Sequence, residues 1–338
     1  MSLVLDYTGG VFAAKPTGGS LGTDPSTIGD ANFADVSLLL HGDGTSGSTT
    51  ITDSSSNSTS VTVVGNTQID TTVKKFGTGS IEFDGTGDEL TYTAPALSGD
   101  FTYEAWVYPE SQVQAFPICF APVSDATVAN RVALSYDTST YVDKFSCRVG
   151  SNFIVASSTS STGQWYHLAI VRSGSTVSMY IDGVSQGTQT FSTSISSRTA
   201  YIGGSSLIGS NTHFAGFIDD FRFTNGLARY TSTFTAPTAA FSNTGPTLDL
   251  SSGNTFVHAP SANVAYAFSN PPASGTAIDF TLKVTPSATV TITWPSSVKW
   301  AGGTAPSAPA SGETDAFTFY STDGGSTYYG FHAGDAYS

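Results

Sequence analysis

The sequence predicts an all-β protein: a two-sheet antiparallel sandwich, preceded by an irregular N-terminal arm and followed by a smaller β domain. Three observations lead there. Apolar and polar residues alternate with a period of two over short runs. The runs are about 4–8 residues long, rich in Val, Ile, Tyr, Phe and Thr, and bounded by Gly, Asp, Asn, Ser or Pro. No stretch keeps a helical period over three turns, and only a single helical turn is expected, near residues 226–230. A chain of 338 residues is long enough for a large β domain and a second, smaller one.

The elements follow in order. Residues 1–34 are punctuated by Gly, Thr and Pro and read as an arm that docks rather than folds alone. Residues 35–241 carry "VSLLLHG", a polar loop, "VTVVGN", "GSIEFDG", "ELTYTA", "FTYEAWVYP", "FPICFAP", "RVALSYD", "KFSCRVG", "FIVASS", "WYHLAIVRSG", "TVSMYIDGVSQ", "AYIGGSS" and "FAGFIDDFRF". So many short strands at regular spacing mean a sandwich. In "MYIDGVSQ", Asp182-Gly183 supplies the positive φ angles of a two-residue hairpin turn. Residues 244–338 form the second β domain. There "AIDFTLKV" and "ATVTITW" read as two strands joined by "TPS", and "FTFYSTDGGSTYYGF" as a hairpin around Asp323-Gly324-Gly325.

Composition narrows the function. Charged residues are 11% of the chain, hydrophobic residues 39% and aromatic residues 12%, so the wet faces are built from Ser, Thr and Gly around an ordered core. The net charge is −14, with 12 basic and 26 acidic residues. That opposes a phosphate-tracking nucleic-acid surface and docking on an anionic membrane. "MSLVLDYTGG" has neither a basic leader nor an apolar run, so no secretory signal is expected, and no segment has the ~18–20 apolar residues of a membrane span. Cys119 and Cys147 lie on strands flanking a third and read either as a disulfide or as two half-buried thiols.

"LLLHGDG", "KKFGTGSIEFDGTGDEL", "FTYEAWVYP", "QWYHLAIVRSGSTVSMYIDGV", "YIGG" and "FAGFIDDFRFTNGLARYTSTFTAP" occur in this order. Together they resemble the laminin-G-like, concanavalin-A-like jelly-roll domains, in the version found in tailed-phage and bacterial surface proteins. The resemblance implies two curved antiparallel sheets, binding of glycans or proteins, and one structural calcium ion. The aspartate matching the calcium ligand of related glucanases is Asp219, with oxygens from residues 41–43, Asp43 among them, or from Asp84 and Gly85. A hard cation suits such a carboxylate. Alternatively, Asp219 accepts backbone N–H groups or pairs with Arg222 or Arg229. By simple alternation Phe217, Asp219 and Phe221 share one face, and Ile218, Asp220 and Arg222 the other.

An enzyme is not expected. Glucanases of this fold use a carboxylate pair on one strand. Glu82, Glu89, Glu104, Glu110 and Glu313 are the five glutamates, and none repeats that spacing. Glu104 in "YEAW" is expected to face solvent or to cap a hydrogen-bond network. None of His41, His167, His213, His258 and His332 lies in a nucleophile or metal motif. Glycan-contacting candidates are loop residues: Asn130, Tyr136, Tyr141, Asn152, Asn211 and His213, with ordinary turn chemistry as the competing reading. Trp106 and Trp165 are expected in the core. Trp294 and Trp300 either anchor a partner or fill a thin core.

The C-terminal segment more weakly resembles the small β modules that end phage structural and fibre proteins. Together these features point to a non-enzymatic protein of a phage virion surface, a head decoration or fibre component assembled in the host cytoplasm. The arm and C-terminal domain would dock on other virion proteins or oligomerise, as a trimer for a fibre. The jelly roll would face host-surface glycans or neighbouring subunits. The alternatives are a secreted bacterial adhesin or carbohydrate-binding module at an extracellular location and, more remotely, a hydrolase of the same fold.

Overall fold

The structure is a computed structural model that describes residues 5–8, 11–14, 19–20, 29–30, 32–111, 115–120, 132–136, 140–204, 213–260 and 263–337. The described residues form no α-helix, only two short 3₁₀ turns, Phe33–Asp35 and Ala301–Gly303. The single helical turn expected near residues 226–230 is instead irregular backbone. Among the described residues no helix is long and apolar enough to cross a membrane. The chain divides into two compact units: Asp35–Phe241, and Met1–Ala34 together with Ser242–Ser338.

The first unit is a sandwich of antiparallel sheets. One sheet runs, edge to edge, through Asn152–Val155, Phe145–Val149, Val132–Tyr136, Ala115–Phe120, Arg198–Ile202, Glu89–Ala94 and Thr62–Val64. The other runs through Val184–Thr190, Thr176–Ile181, Tyr166–Ser173, Phe101–Pro109, Ala215–Asn225, Ser80–Asp84 and Gln68–Asp70, and Val36–Leu40 also pairs with Ala215–Asn225. Alternate residues meet between the layers: Leu90, Tyr92, Leu134 and Phe145 from the first sheet, and Phe101, Tyr103, Val107, Leu168, Ile218 and Phe221 from the second. Each such side chain contributes roughly 1.5–3 kcal/mol on burial. Cys147 is a free, buried thiol in this core, its acidity suppressed by desolvation. The Cys119 side chain, and with it the other half of that pairing, lies outside the described residues.

The Asp182-Gly183 turn has φ of 49° and 78°, with Ile181 paired to Val184. Gly183 is required twice over. A Cβ there would sit 1.9 Å from the carbonyl oxygen of Phe234, whose N–H donates to the Gly183 carbonyl at 3.0 Å. Asp182 in turn accepts the backbone N–H of His167 at 2.8 Å.

In the second unit one short piece of the arm joins a sheet. Gly19–Ser20 adds in parallel to Thr255–His258, at the edge of a six-stranded sheet continuing through Ile278–Val284, Thr314–Ser321, Tyr328–Tyr337 and Val298–Trp300. The strands flanking "TPS" do not pair with each other. Ile292–Thr293 joins Val264–Ala265 in a separate ribbon. Pro286 has no N–H for a tight hairpin ladder, and the connection tracks residues 258–260 instead, through Thr285 N to His258 O and Ser287 N to Pro260 O. Trp294 and Trp300 fill the core, the first 4.9 Å from the Phe317 ring and 5.3 Å from that of Tyr266.

His258 is buried here, its Nδ1 2.7 Å from the Tyr266 hydroxyl. Desolvation pushes its pKa down to about 4. The folded value lies below the unfolded one, so its contribution is complete above about pH 6.5 and is lost as pH falls through 4. We expect thermal unfolding of the protein to show a loss of up to about 3 kcal/mol over that window, and His258→Gln to flatten it; an unchanged pH profile in the variant contradicts this.

Candidate functional site

The Ala215–Asn225 strand sits at the centre of the second sheet and changes neighbour halfway along. Its first half pairs with Ser80–Asp84, through Phe217 with Glu82 and Ile218 with Ile81. Its second half pairs with Val36–Leu40, through Phe221 with Leu40 and Phe223 with Leu38. On its other side Asp219 opposes Trp106 and Arg222 opposes Glu104, so that Asp220 and Phe221 face the single Ala105: a β-bulge. Asp220 takes the left-handed conformation at φ 51°, which aspartate tolerates better than most residues. The simple alternation expected for this strand is therefore corrected. The extra residue switches parity, so Ile218, Phe221 and Phe223 all reach the core, while Phe217, Asp219 and Arg222 are placed by their partners on the outer face.

Both carboxylates fill the gap where the neighbouring strands diverge. Asp219 Oδ2 accepts the N–H groups of Lys75 at 2.7 Å and Phe76 at 3.0 Å. Asp220 accepts the Phe241 N–H at 2.6 Å and lies 2.6 Å from His41 Nδ1. Burial, despite the two N–H bonds to Asp219 and reinforced by Asp220 and Asp43, raises the Asp219 pKa to about 7. Asp43 accepts from the N–H and, at 2.9 Å, the hydroxyl of Thr78. Asp84 does not join this group. It opposes Ala215, four residues from Asp219, and bonds Asn66 Nδ2 at 3.1 Å and the Thr86 N–H at 2.7 Å. So the Asp43 charge acts on Asp219, whereas Asp84 is not among the charges that shift it.

Beside the bulge the outer face is sealed. Glu104 is fully buried. Its Oε1 accepts from Arg222 Nε at 2.9 Å and Nη2 at 2.7 Å; its Oε2 accepts from the Tyr230 hydroxyl at 2.8 Å and lies 3.3 Å from His167 Nε2. Burial alone would raise the Glu104 pKa, but Arg222, His167 and Arg229 outweigh it and hold the carboxyl well below the usual range. The network-capping reading of Glu104 stands, and the solvent-facing one is corrected. A strap, residues 226–241, covers the ions. Tyr230 stacks on Phe234 at 3.6 Å, Phe234 meets His167 and Tyr180 edge-on, and the Phe241 ring lies 3.7 Å from the Arg222 guanidinium carbon. The motif "IDDFR…ARYT…F" is thus the means of closing this network.

One row along, the same face opens. Across five adjacent strands the register aligns Tyr166 with Val107, Phe217 with Tyr108, Glu82 with Phe217 and Gln68 with Glu82. Trp165, one residue before its strand, lies 5.3 Å from the Tyr108 ring, and Tyr108 lies 5.9 Å from Phe217. Phe217 is a buried floor, while Trp165 and Tyr108 are half-buried; the core position expected for Trp165 is corrected. Gln68 Nε2 donates to Glu82 Oε2 at 2.8 Å. Glu110 is exposed beside them, its N–H on the Ala215 carbonyl. Aromatic rings flanked by amide and carboxylate groups are the chemistry of a polyhydroxylated ligand.

The loop candidates are scattered. Tyr136 is wholly buried with its hydroxyl on the Ser160 carbonyl at 2.9 Å, so it offers no platform. Tyr141 packs edge-on against Phe153. Asn152 is exposed on an edge strand. His213 lies 4.0 Å from Glu89, on a strand five steps away from that edge. Asn130 and Asn211 lie outside the described residues. The open row went unnoticed in the sequence although a signal existed: Tyr108 shares strand parity with Glu104 and Trp106, and so points out of the sandwich.

Residues 84–229 match the family model of the concanavalin A-like lectin/glucanases superfamily. The match lies within the first unit, Asp35–Phe241. No curated protein gives a significant match. Similar solved structures include a pentraxin from Limulus polyphemus (21% identity, 42% of this chain and 73% of that one, TM-score 0.35). Domain 4 of an extracellular arabinanase from Geobacillus stearothermophilus, in complex with arabinotriose, is another (17% identity, 57% and 93%, TM-score 0.41). A third is Trypanosoma rangeli sialidase in complex with sialic acid, of which the aligned portion is a third (16% identity, 66% and 33%, TM-score 0.44).

The sealed half of this outer face yields a stability prediction. Glu104→Gln removes the buried carboxylate charge on which Arg222, His167 and Tyr230 converge and should cost about 3–5 kcal/mol. Replacing both Glu104 and Arg222 by methionine should recover most of that loss, read as unfolding midpoints in urea; equal destabilisation by the single and double variants contradicts it.

Proposed function

We propose that this chain is a non-enzymatic surface protein of a tailed-phage virion, whose lectin/glucanase domain holds glycans on the open outer face of its second sheet. The observation that carries the glycan reading is the cross-strand row of Trp165, Tyr108 and Phe217 ending in Glu82 and Gln68. Stacking on the rings removes the apolar side of a sugar from water, and the amide and carboxylate receive its hydroxyls.

The virion role draws support from the Ser/Thr/Gly-rich composition and from the second unit. Tyr320, Tyr329 and Phe331 are 42%, 51% and 54% exposed, and Tyr320 pairs with Tyr329, as Thr318 does with Phe331, on one sheet. Such an apolar patch suits docking on neighbouring virion proteins or on further copies of the chain, a trimer in a fibre. One calcium ion at Asp219 and Asp43 completes the proposal, because two mutually repelling carboxylates there have no lysine or arginine bonded to them in the described structure.

Three measurements test this. On a glycan array the protein should bind oligosaccharide and release it uncleaved, and Trp165→Ala should weaken binding at least tenfold; absence of binding rejects the lectin reading, and cleavage rejects the non-enzymatic one. Calcium at a hundred times its Kd should add about 2.7 kcal/mol, and Asp219→Asn should abolish the gain; a melting temperature indifferent to chelator removes the ion. Mass spectrometry of purified virions should find the chain, and its absence removes the virion role.

A further inference from the structure

The charged side chains on and bordering the open row itself are carboxylates. Glu82 lies on the row itself, and Glu110 borders it. Glu110 is held above its ordinary range by partial burial and by the charges of Glu82 and Asp70, so these three carboxylates share one neighbourhood. The cations of the same face are committed elsewhere. Arg222 is bound by Glu104, Arg229 Nε donates to Thr224 Oγ1 at 2.6 Å, Lys75 Nζ lies 3.8 Å from the Trp106 ring centre, and Lys74, whose Nζ donates to the Thr71 carbonyl at 2.9 Å, acts on Asp70. From the strand of Tyr166 to that of Gln68 the row crosses four interstrand steps, about 19 Å at ~4.8 Å each. That is the reach of an oligosaccharide rather than of a single ring.

Resting on the glycan reading above, we infer that the row takes an uncharged oligosaccharide laid across the strands and rejects sialylated and uronic-acid sugars. An anionic sugar would bring its carboxylate against Glu82 and Glu110 with no bidentate arginine to receive it, and like-charge juxtaposition is an effective means of excluding a ligand. A neutral sugar meets the same carboxylates as hydrogen-bond acceptors for its hydroxyls.

The test is titration calorimetry of the full chain with neutral gluco-, galacto- and manno-oligosaccharides and with sialylated or uronic-acid counterparts of the same length. At least one neutral oligosaccharide should bind ten or more times tighter than its acidic counterpart, and tighter than its monosaccharide. Trp165→Ala should abolish that binding. Glu82→Gln combined with Glu110→Gln should narrow the neutral-to-acidic gap about tenfold. Acidic sugars bound as tightly as neutral ones, with sensitivity to Trp165→Ala, would overturn the inference and leave the glycan reading standing. Binding that ignores Trp165→Ala would overturn the placement. Failure of every sugar in both sets would overturn both.

Discussion

One extra residue in the central strand organises the first unit. Ala215–Asn225 must pair first with Ser80–Asp84 and then with Val36–Leu40, two segments that separate at the point where they meet it. A regular strand would leave unpaired backbone groups in that gap, and buried unpaired groups are costly. The bulge at Asp219 and Asp220 supplies what is missing: carboxylate acceptors for the N–H groups of Lys75, Phe76 and Phe241. Two adjacent aspartates in an otherwise apolar strand are explained by these three donors and by His41.

The change of parity at the bulge also divides the outer face. Beyond it Arg222 opposes Glu104, and the charged pair is closed off by Tyr230, Phe234 and Phe241. A buried ion pair of this kind is not a large source of stability. Its effect is to define one position for the strap. Before the bulge Phe217 faces outward with Tyr108 and Trp165, and no strap residue packs on that row among the described contacts. The covered and open halves of one sheet face are consequences of a single shift in register.

Much of the fold was legible in the sequence because its signals are local. Strand alternation, the Asp182-Gly183 turn and the glycine-bounded loops need no knowledge of partners. What could not be read were features set by neighbours distant in the chain. The bulge depends on which strands flank residues 219 and 220, so strict alternation put Phe221 with Asp219 rather than in the core with Ile218. Glu104 seemed isolated because its partners, His167, Arg222 and Tyr230, lie 63 or more positions away. Tyr136 looked like a loop aromatic but belongs to a central strand packed on Phe145. Proline chemistry was legible in kind but not in outcome: "TPS" does separate its flanking strands, yet it sends them to different sheets.

The account is tested most directly by the register of the central strand in an experimental structure, or by interstrand nuclear Overhauser effects between Ala215–Asn225 and Phe101–Pro109. It predicts Arg222 opposite Glu104, Ile218 opposite Val107, and two residues, Asp220 and Phe221, facing the single Ala105. An unbroken ladder, with Phe221 opposite Glu104 and Arg222 opposite Tyr103, would contradict it.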